Sequence, residues 1–287
     1  MADTKKKKKD RGIWRELKKN KGAMVGLVML IIIVLIALLA GVLLDYENVV
    51  IKMNPAERLQ KPSAEHWFGT DSYGRDVFAR LLYGARPSIA VGLVAVAIAL
   101  LVGTTLGIVA GYYGGAVDNI IMRICDVFVS IPAILLAICI AASLGQSIAV
   151  LMFAIGVVSC ASFSRIARGA ALPIRGQEFI EAATACGAKD WQIILHHVIP
   201  NCLAPIIVQA TMRVASAIIL ASSLSFLGLG IPAPAPEWGG MLSEGRTFIR
   251  DYSYLTLIPG AAIVVTTLSI NLLGDGLRDA MDPKLRS

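Results

Sequence analysis

Residues 23–44 read AMVGLVMLIIIVLIALLAGVLL, a run of 22 positions without a charge. A hydrocarbon core of ~30 Å takes about 20 helical residues, so this run is long enough to cross a membrane. A secretory signal would have a shorter apolar core and a small-residue cleavage site; the run passes into Asp45 with neither. It is read as the first span.

Five more stretches fit the same measure. The second span is expected at 88–110 and the third at roughly 118–143, with Asp118, Arg123 and Asp126 in its first part and Pro132 in its apolar second part. The fourth is expected at about 147–164. The fifth, about 203–227, contains Gln209 and Arg213, and the sixth lies in 252–274, starting near Pro259. Turn residues separate them: Gly114-Gly115, Gly145-Gln146, Gly228, Gly230, and Pro232, Pro234 and Pro236. The fold class is an all-α membrane protein of six transmembrane helices.

Composition agrees. Of 287 residues, 56% are hydrophobic and 16% charged, against the ~25% charged residues usual in soluble domains. The net charge of +7 sits in a basic tail, 1–21, whose lysine run Lys5 to Lys9 reads as a solvated segment that orients the first helix and touches anionic lipid. No basic folded face points to nucleic acid. With the amino terminus inside, the inside segments carry 17 Lys or Arg and the outside segments 8, and an even number of spans puts the carboxyl terminus inside too. Residues 22–287 then form one transmembrane domain, with outside loops 45–86 and 228–257 and an inside loop 165–202. The five cysteines (Cys125, Cys139, Cys160, Cys186, Cys202) form no Cys-x-x-Cys pair, and their number is odd. They read as free, small, buried side chains.

The inside loop is patterned. Gln177 to Cys186 is a good helix former, Gly187 can take the left-handed conformation that ends a helix, and Asp190 can cap a second short helix, Trp191 to Val198. Pro200 fits a helix start or a break leading into the fifth span. These features describe a helix–turn–helix knob suited to docking a partner. By pattern alone, a loop that merely connects two spans remains an equal reading.

Glu181-Ala182-Ala183, then Gly187 three residues on, then Ile199-Pro200 resemble the EAA loop of ABC importer permeases, whose pattern is EAA, three residues, Gly, nine residues, Ile-x-Leu-Pro. Here His197 stands at the Ile position and Ile199 at the Leu position; the His is familiar from the peptide and nickel branch. HWFGTDSYGRDVFARLLYGAR (66–86), SFLGLGIPAPAPEWGGMLSEGR (225–246) and NLLGDGLRDAMDPKLR (271–286) resemble that branch as well. Almost the whole chain is covered, and it looks like the second permease of a dipeptide/oligopeptide uptake system in a prokaryotic plasma membrane.

The resemblance implies a heterodimer with a second, similar permease and two ATP-binding subunits. Glu181, Ala182, Ala183, Gly187, Ile199 and Pro200 would mark the segment docked on one of those subunits. An extracytoplasmic binding protein would deliver a peptide substrate. Nickel chelates, glutathione and haem are handled by relatives of the same architecture. ATP and Mg would be bound by the partner subunits. This chain lacks the Gly-x-x-x-x-Gly-Lys-Ser/Thr phosphate loop, HExxH and a nucleophile elbow, so no catalytic site and no cofactor of its own is expected. His66, His196 and His197 lack the spacing of a metal site.

Arg213 lies about ten residues into the fifth span, roughly 15 Å along it. A charge at that depth costs ~2.5–3.5 kcal/mol on insertion scales and must face protein or water. It either lines the pathway and meets a peptide carboxylate or polar backbone, or makes a buried structural pair or an interhelical hydrogen bond. Arg123 and Asp126, three apart on one face, are expected to neutralise each other. The loop 45–86 balances six basic against six acidic residues; in it Gly69, Asp71, Gly74, Arg75 and Asp76 are expected to shape a turn and cap a helix from Val77 to Leu82. A stand-alone secondary transporter or channel would show a proton relay or paired broken helices in matching halves, which the spans lack. An assembly scaffold would explain the basic tail but not the patterned knob.

Overall fold

The computed structural model describes residues 12 and 14–281; the lysine run and the last six residues lie outside this range. Among the described residues there is no strand, only an isolated bridge between Thr70 and Asp76. The helices are α1 (Lys21–Leu43), α2 (Val77–Tyr113), α3 (Gly115–Ser130), α4 (Ala133–Leu144), α5 (Ile148–Arg175), α6 (Glu178–Ala185), α7 (Asp190–Ile193), α8 (Ile199–Phe226), α9 (Trp238–Gly245) and α10 (Tyr254–Met281). A π-helical turn, Ile194–Val198, fuses α7 to α8, so Asp190–Phe226 is one continuous helical run.

Among the described residues, five helical runs are long and apolar enough to cross a membrane on their own: α1, α2, α5, the α7–α8 run and α10. The expected third span is instead a broken pair. α3 and α4 meet at 88°, because Ile131 is extended (ψ 129°) ahead of Pro132. A proline ring disfavours helical backbone at the preceding residue and removes an N–H from the ladder. The broken pair still carries the chain from one end of the bundle to the other. α3 starts where its Asp118 meets Arg168, while Gln146, just after α4, donates to the Gly228 carbonyl at the opposite end (2.6 Å). Counted as one bent span, the pair brings the candidate crossings among the described residues to six.

The central pair is α2 against α5. Gly103, Gly107 and Gly111 fall at intervals of four on one face of α2, and a Cβ on any of them would strike the backbone or side chains of Cys160, Phe163, Ser164, Ala167 or Ala171. Small residues at that spacing let two helix backbones approach closely inside a membrane, where packing must supply what the hydrophobic effect does not. The Ser164 hydroxyl completes the contact by donating to the Gly103 carbonyl (2.9 Å). α8 packs across both helices, through Ala217, Ala221 and Leu224 against Val91, Ala95, Leu151 and Ile155. α1 lies on α10, where Gly26 abuts the backbone of Ser269 and Leu273. Leu17 packs with Ala23 and Ala280, so the amino-terminal end of α1 and the carboxyl-terminal end of α10 share one face of the bundle.

Several boundaries differ from the sequence reading. The helix expected at Val77 to Leu82 does start there, with Asp76 accepting from the Ala79 N–H (2.7 Å), but it runs unbroken into the second span through Pro87. α5 continues to Arg175, and α10 starts at Tyr254, with Pro259 in its first turns. Pro200 does not break the chain: the preceding turn widens, and Ile199 N–H pairs with the Ile194 carbonyl five residues back, so the helix passes on. Asp190 is the first residue of α7 and not its cap; Gln192 instead accepts from the Lys189 N–H (2.9 Å). Arg123 and Asp126 do not pair. Asp126 takes Arg165 of α5 (2.7 Å), a partner that helical spacing within α3 could not reveal. Cys139 and Cys186 are exposed, not buried.

Candidate functional site

The knob between the fourth and fifth spans is built on a buried root. Ile180, Ile193 and Val198 pack with Ile108 of α2 and with Ala167 and Ala171 of α5. α6 ends in a Schellman motif: Ala188 N–H reaches the Ala183 carbonyl (3.1 Å) and Gly187 N–H the Thr184 carbonyl (2.9 Å). The motif needs left-handed backbone at its turning residue, and Gly187 supplies it at φ +82°. Tyr112, at the end of α2, donates to Asp190 (3.0 Å) and ties the second arm of the knob to the bundle. Arg168 grips Asp118 with two nitrogens (2.5 and 2.6 Å), fixing α3 to α5 on the same face.

Glu181, Ala182 and Gly187 are exposed on the knob, and Ala183 is half-buried. Ile199 and Pro200 lie where the knob enters α8, on the root and the outer side respectively. The sequence-predicted residues thus share one projection, but its most solvent-exposed apolar groups were not among them. Phe179 is 42% exposed, Trp191 56% and Leu195 51% among the described residues. The signal for these three was present, as large apolar side chains in a segment too polar to stay in lipid.

Arg213 lies at the middle of α8, away from the knob. It lines a cavity of about 660 Å³ at the α3–α4 break, walled by Phe128, Ile131, Pro132 and Ile134 on one side and by residues of α5 and α8 on the other. Ser159, Ser162 and Ser216 share the lining with it. Arg213 has no ion-pair partner among the described residues.

At the opposite end, the loop after α1 and the segment around α9 lock together through buried charges that the balanced loop charge concealed. The Arg75 side chain, fully buried, holds Asp71 (2.6 Å) and Glu244 (2.5 Å); Arg80, 2% exposed, approaches the same two carboxylates at 3.4 Å and donates to the Pro234 carbonyl (3.1 Å). Asp71 also accepts from the N–H groups of Tyr73 and Arg75, closing the turn expected at Gly69 to Asp76, with Gly69 and Gly74 at positive φ. Glu237 caps α9 through Gly239 and Gly240 N–H, and Trp238 reaches the Leu81 carbonyl (2.9 Å). Removing one partner from such a cluster costs about 3–5 kcal/mol, because a buried charge is left uncompensated. The arrangement fixes two loops that are 169 residues apart into one cap on the bundle.

Comparison with known proteins adds the following. Residues 103–287 match the family described as binding-protein-dependent transport system inner membrane component, and residues 11–62 match the N-terminal TM domain of oligopeptide transport permease C. The chain is 51% identical over 278 residues to the dipeptide transport system permease protein DppC of Alkalihalophilus pseudofirmus, covering 96% of this chain and 91% of that one. It is 43% identical to the glutathione transport system permease protein GsiD of Pectobacterium atrosepticum, with 96% and 92% covered. The fold is similar to that of a chain in the inward-facing MetNI methionine ABC transporter, with a TM-score of 0.58, 19% identity, and 71% of this chain and 96% of that one covered.

Proposed function

Because the chain belongs to the binding-protein-dependent transport system inner membrane component family of ABC importer permeases, we propose that it works as one half of a heterodimeric pathway for di- or oligopeptides and is driven through its knob by ATPase subunits. The family is one of non-enzymatic, multi-pass membrane subunits, and its machines include ATPase and substrate-binding components. The observation that carries the knob's role is its construction. A short helix pair is anchored by Ile180, Ile193 and Val198 to two spans at once, and it presents Phe179, Trp191 and Leu195 outward. A docked subunit that pushes on it must move α2 and α5 with it, because the root is packed and not flexible. Glu181, Ala182, Ala183, Gly187, Ile199 and Pro200 belong to this contact. The knob face is cytoplasmic, and the loop cap with Arg75, Arg80 and Glu244 meets the binding protein outside. The peptide passes the cavity lined by Arg213.

Peptide is favoured as cargo by the 51% identity to a dipeptide permease; relatives named for glutathione, itself a peptide, keep that cargo as the second reading. Proteoliposomes holding the chain, its partner permease and its ATPases, with the binding protein added, are expected to take up labelled dialanine only with ATP present. The purified chain alone is expected to release no phosphate from ATP. Uptake without ATP, or hydrolysis by the lone chain above a no-protein control, would contradict the division of labour.

A further inference from the structure

We infer that the cavity at the α3–α4 break is a carboxylate-reading subsite that takes the C-terminal carboxylate of the peptide. This rests on the cavity lying on the transport path.

Arg213 is the only charged residue in the cavity lining. No acid is at hand to neutralise it: the two carboxylates of α3, Asp118 and Asp126, are taken by Arg168 and Arg165. A guanidinium deep in a membrane protein and lacking a protein partner is tolerated because water, or an anion, meets it in an open space. The other polar atoms on the wall are hydroxyls. Ser159, Ser162 and Ser216 make no hydrogen bond among the described residues and are free to donate, while Ser223 is already bonded to the Ile219 carbonyl. The first turn of α4, whose Ala133 and Ile134 line the same wall, has no side-chain cap. The lining therefore offers donors and one fixed positive charge, and a remainder that is apolar (Phe128, Val129, Ile155, Val158). It attracts an oxyanion and repels an ammonium group. A volume of about 660 Å³ lies within the range of small-molecule sites, roughly 300–1,000 Å³.

The choice of group follows from what peptides have in common. Side chains differ from one peptide to the next, whereas the two termini and the backbone recur. A cation with serine donors favours the carboxylate end, which accepts two parallel charge-assisted N–H···O bonds where a backbone carbonyl accepts neutral ones.

The test uses the complete transporter in proteoliposomes, with saturating binding protein, and compares initial uptake of dialanine with that of dialanine amide, which lacks the carboxylate. Wild type is expected to favour dialanine. Arg213→Gln should lower dialanine uptake about tenfold, the loss of one charge-assisted interaction, and leave the amide unchanged, so that the two rates converge. Arg213→Lys keeps the charge but loses the planar fork, so it should retain only part of the preference. Ser216→Asp, three residues on along the same helix face, puts a carboxylate beside Arg213 and should erase the preference with the arginine still in place. Equal falls for both peptides in Arg213→Gln and Arg213→Lys would make Arg213 a structural residue and overturn the inference. An unchanged preference in Arg213→Gln and Ser216→Asp would overturn it too. If wild-type assemblies import neither peptide, the peptide reading itself fails first and this inference falls with it.

Discussion

Gly187 holds φ +82°, and nothing lies within 4 Å of the point where a Cβ would stand. A side chain there meets no clash, so the whole cost of substitution is backbone strain, about 1–2 kcal/mol for an ordinary L residue in the left-handed region. The ranking follows from the residue types. Gly187→Asn is mildest, since Asn tolerates that region; Gly187→Ala is intermediate; Gly187→Val is worst, because β-branching adds to the penalty. The strain falls on the Schellman turn that sets the angle between α6 and α7 and not on any span. Membrane insertion should therefore stay near wild type, while co-purification of the ATPase subunits and ATP-driven uptake fall in the order Asn, Ala, Val. Full assembly and full uptake with Gly187→Val would reduce the knob to a connector. This residue was readable in advance because the requirement is local: a helix former, then a glycine. Arg75 and Arg80 were not. Their partner Glu244 is distant in the chain, and a loop with balanced charge looks the same whether its ions are solvated or buried together. The Gly103, Gly107, Gly111 series stood in the sequence, and its spacing could have identified the α2–α5 contact.

At the scale of elements, the break between α3 and α4 sets the cavity. Pro132 was visible inside the expected third span, but proline within a span is also compatible with a modest kink, as Pro87 in α2, Pro205 in α8 and Pro259 in α10 show. What separates Pro132 is the extended Ile131 before it, a backbone state that tertiary packing selects and sequence period does not report. Pro200 illustrates the opposite outcome, where a π-turn absorbs the missing N–H and the helix continues. Pro132→Ala restores the donor and lifts the restriction on Ile131, so the pair should relax towards a straight helix. Spin labels at Val117 and Leu144, both exposed, would read this: at 1.5 Å per residue, arms at a right angle separate the backbones by roughly 29 Å and a straight helix by roughly 40 Å. A shift towards the longer distance, with a loss of uptake, is expected. An unchanged distribution would mean that packing against α5 and α8 holds the bend without help from the proline.

For the whole molecule, the question is which face looks into the cell. The bundle sorts its ends cleanly. The amino-terminal segment, the end of α10 and the knob lie on one face, joined by Leu17 with Ala280 and by Tyr112 with Asp190; the cap built on Arg75 and Glu244 lies on the other. That sorting puts the start of α1 and the end of α10 on the knob face, as an even number of spans leads one to expect. The direction rests on a separate quantity, the bias of 17 Lys or Arg against 8, which acts on insertion through the membrane potential and anionic lipid and leaves no trace in packing. The amino and carboxyl termini are therefore expected in the cytoplasm. In a background without Cys125, Cys139, Cys160 and Cys202, the native Cys186 becomes a reporter for the knob, and it is exposed. In a background lacking all five, single cysteines at Ala64 and Thr247 report the cap and one at Arg15 reports the amino-terminal segment; all three positions are exposed. An impermeant maleimide applied to intact cells should label Ala64→Cys and Thr247→Cys and spare Cys186 and Arg15→Cys, with the pattern completed once the membrane is opened. Labelling of Cys186 and Arg15→Cys in intact cells would invert the protein, and with it the assignment of the knob to ATP-driven subunits, since those have ATP only on the cytoplasmic side.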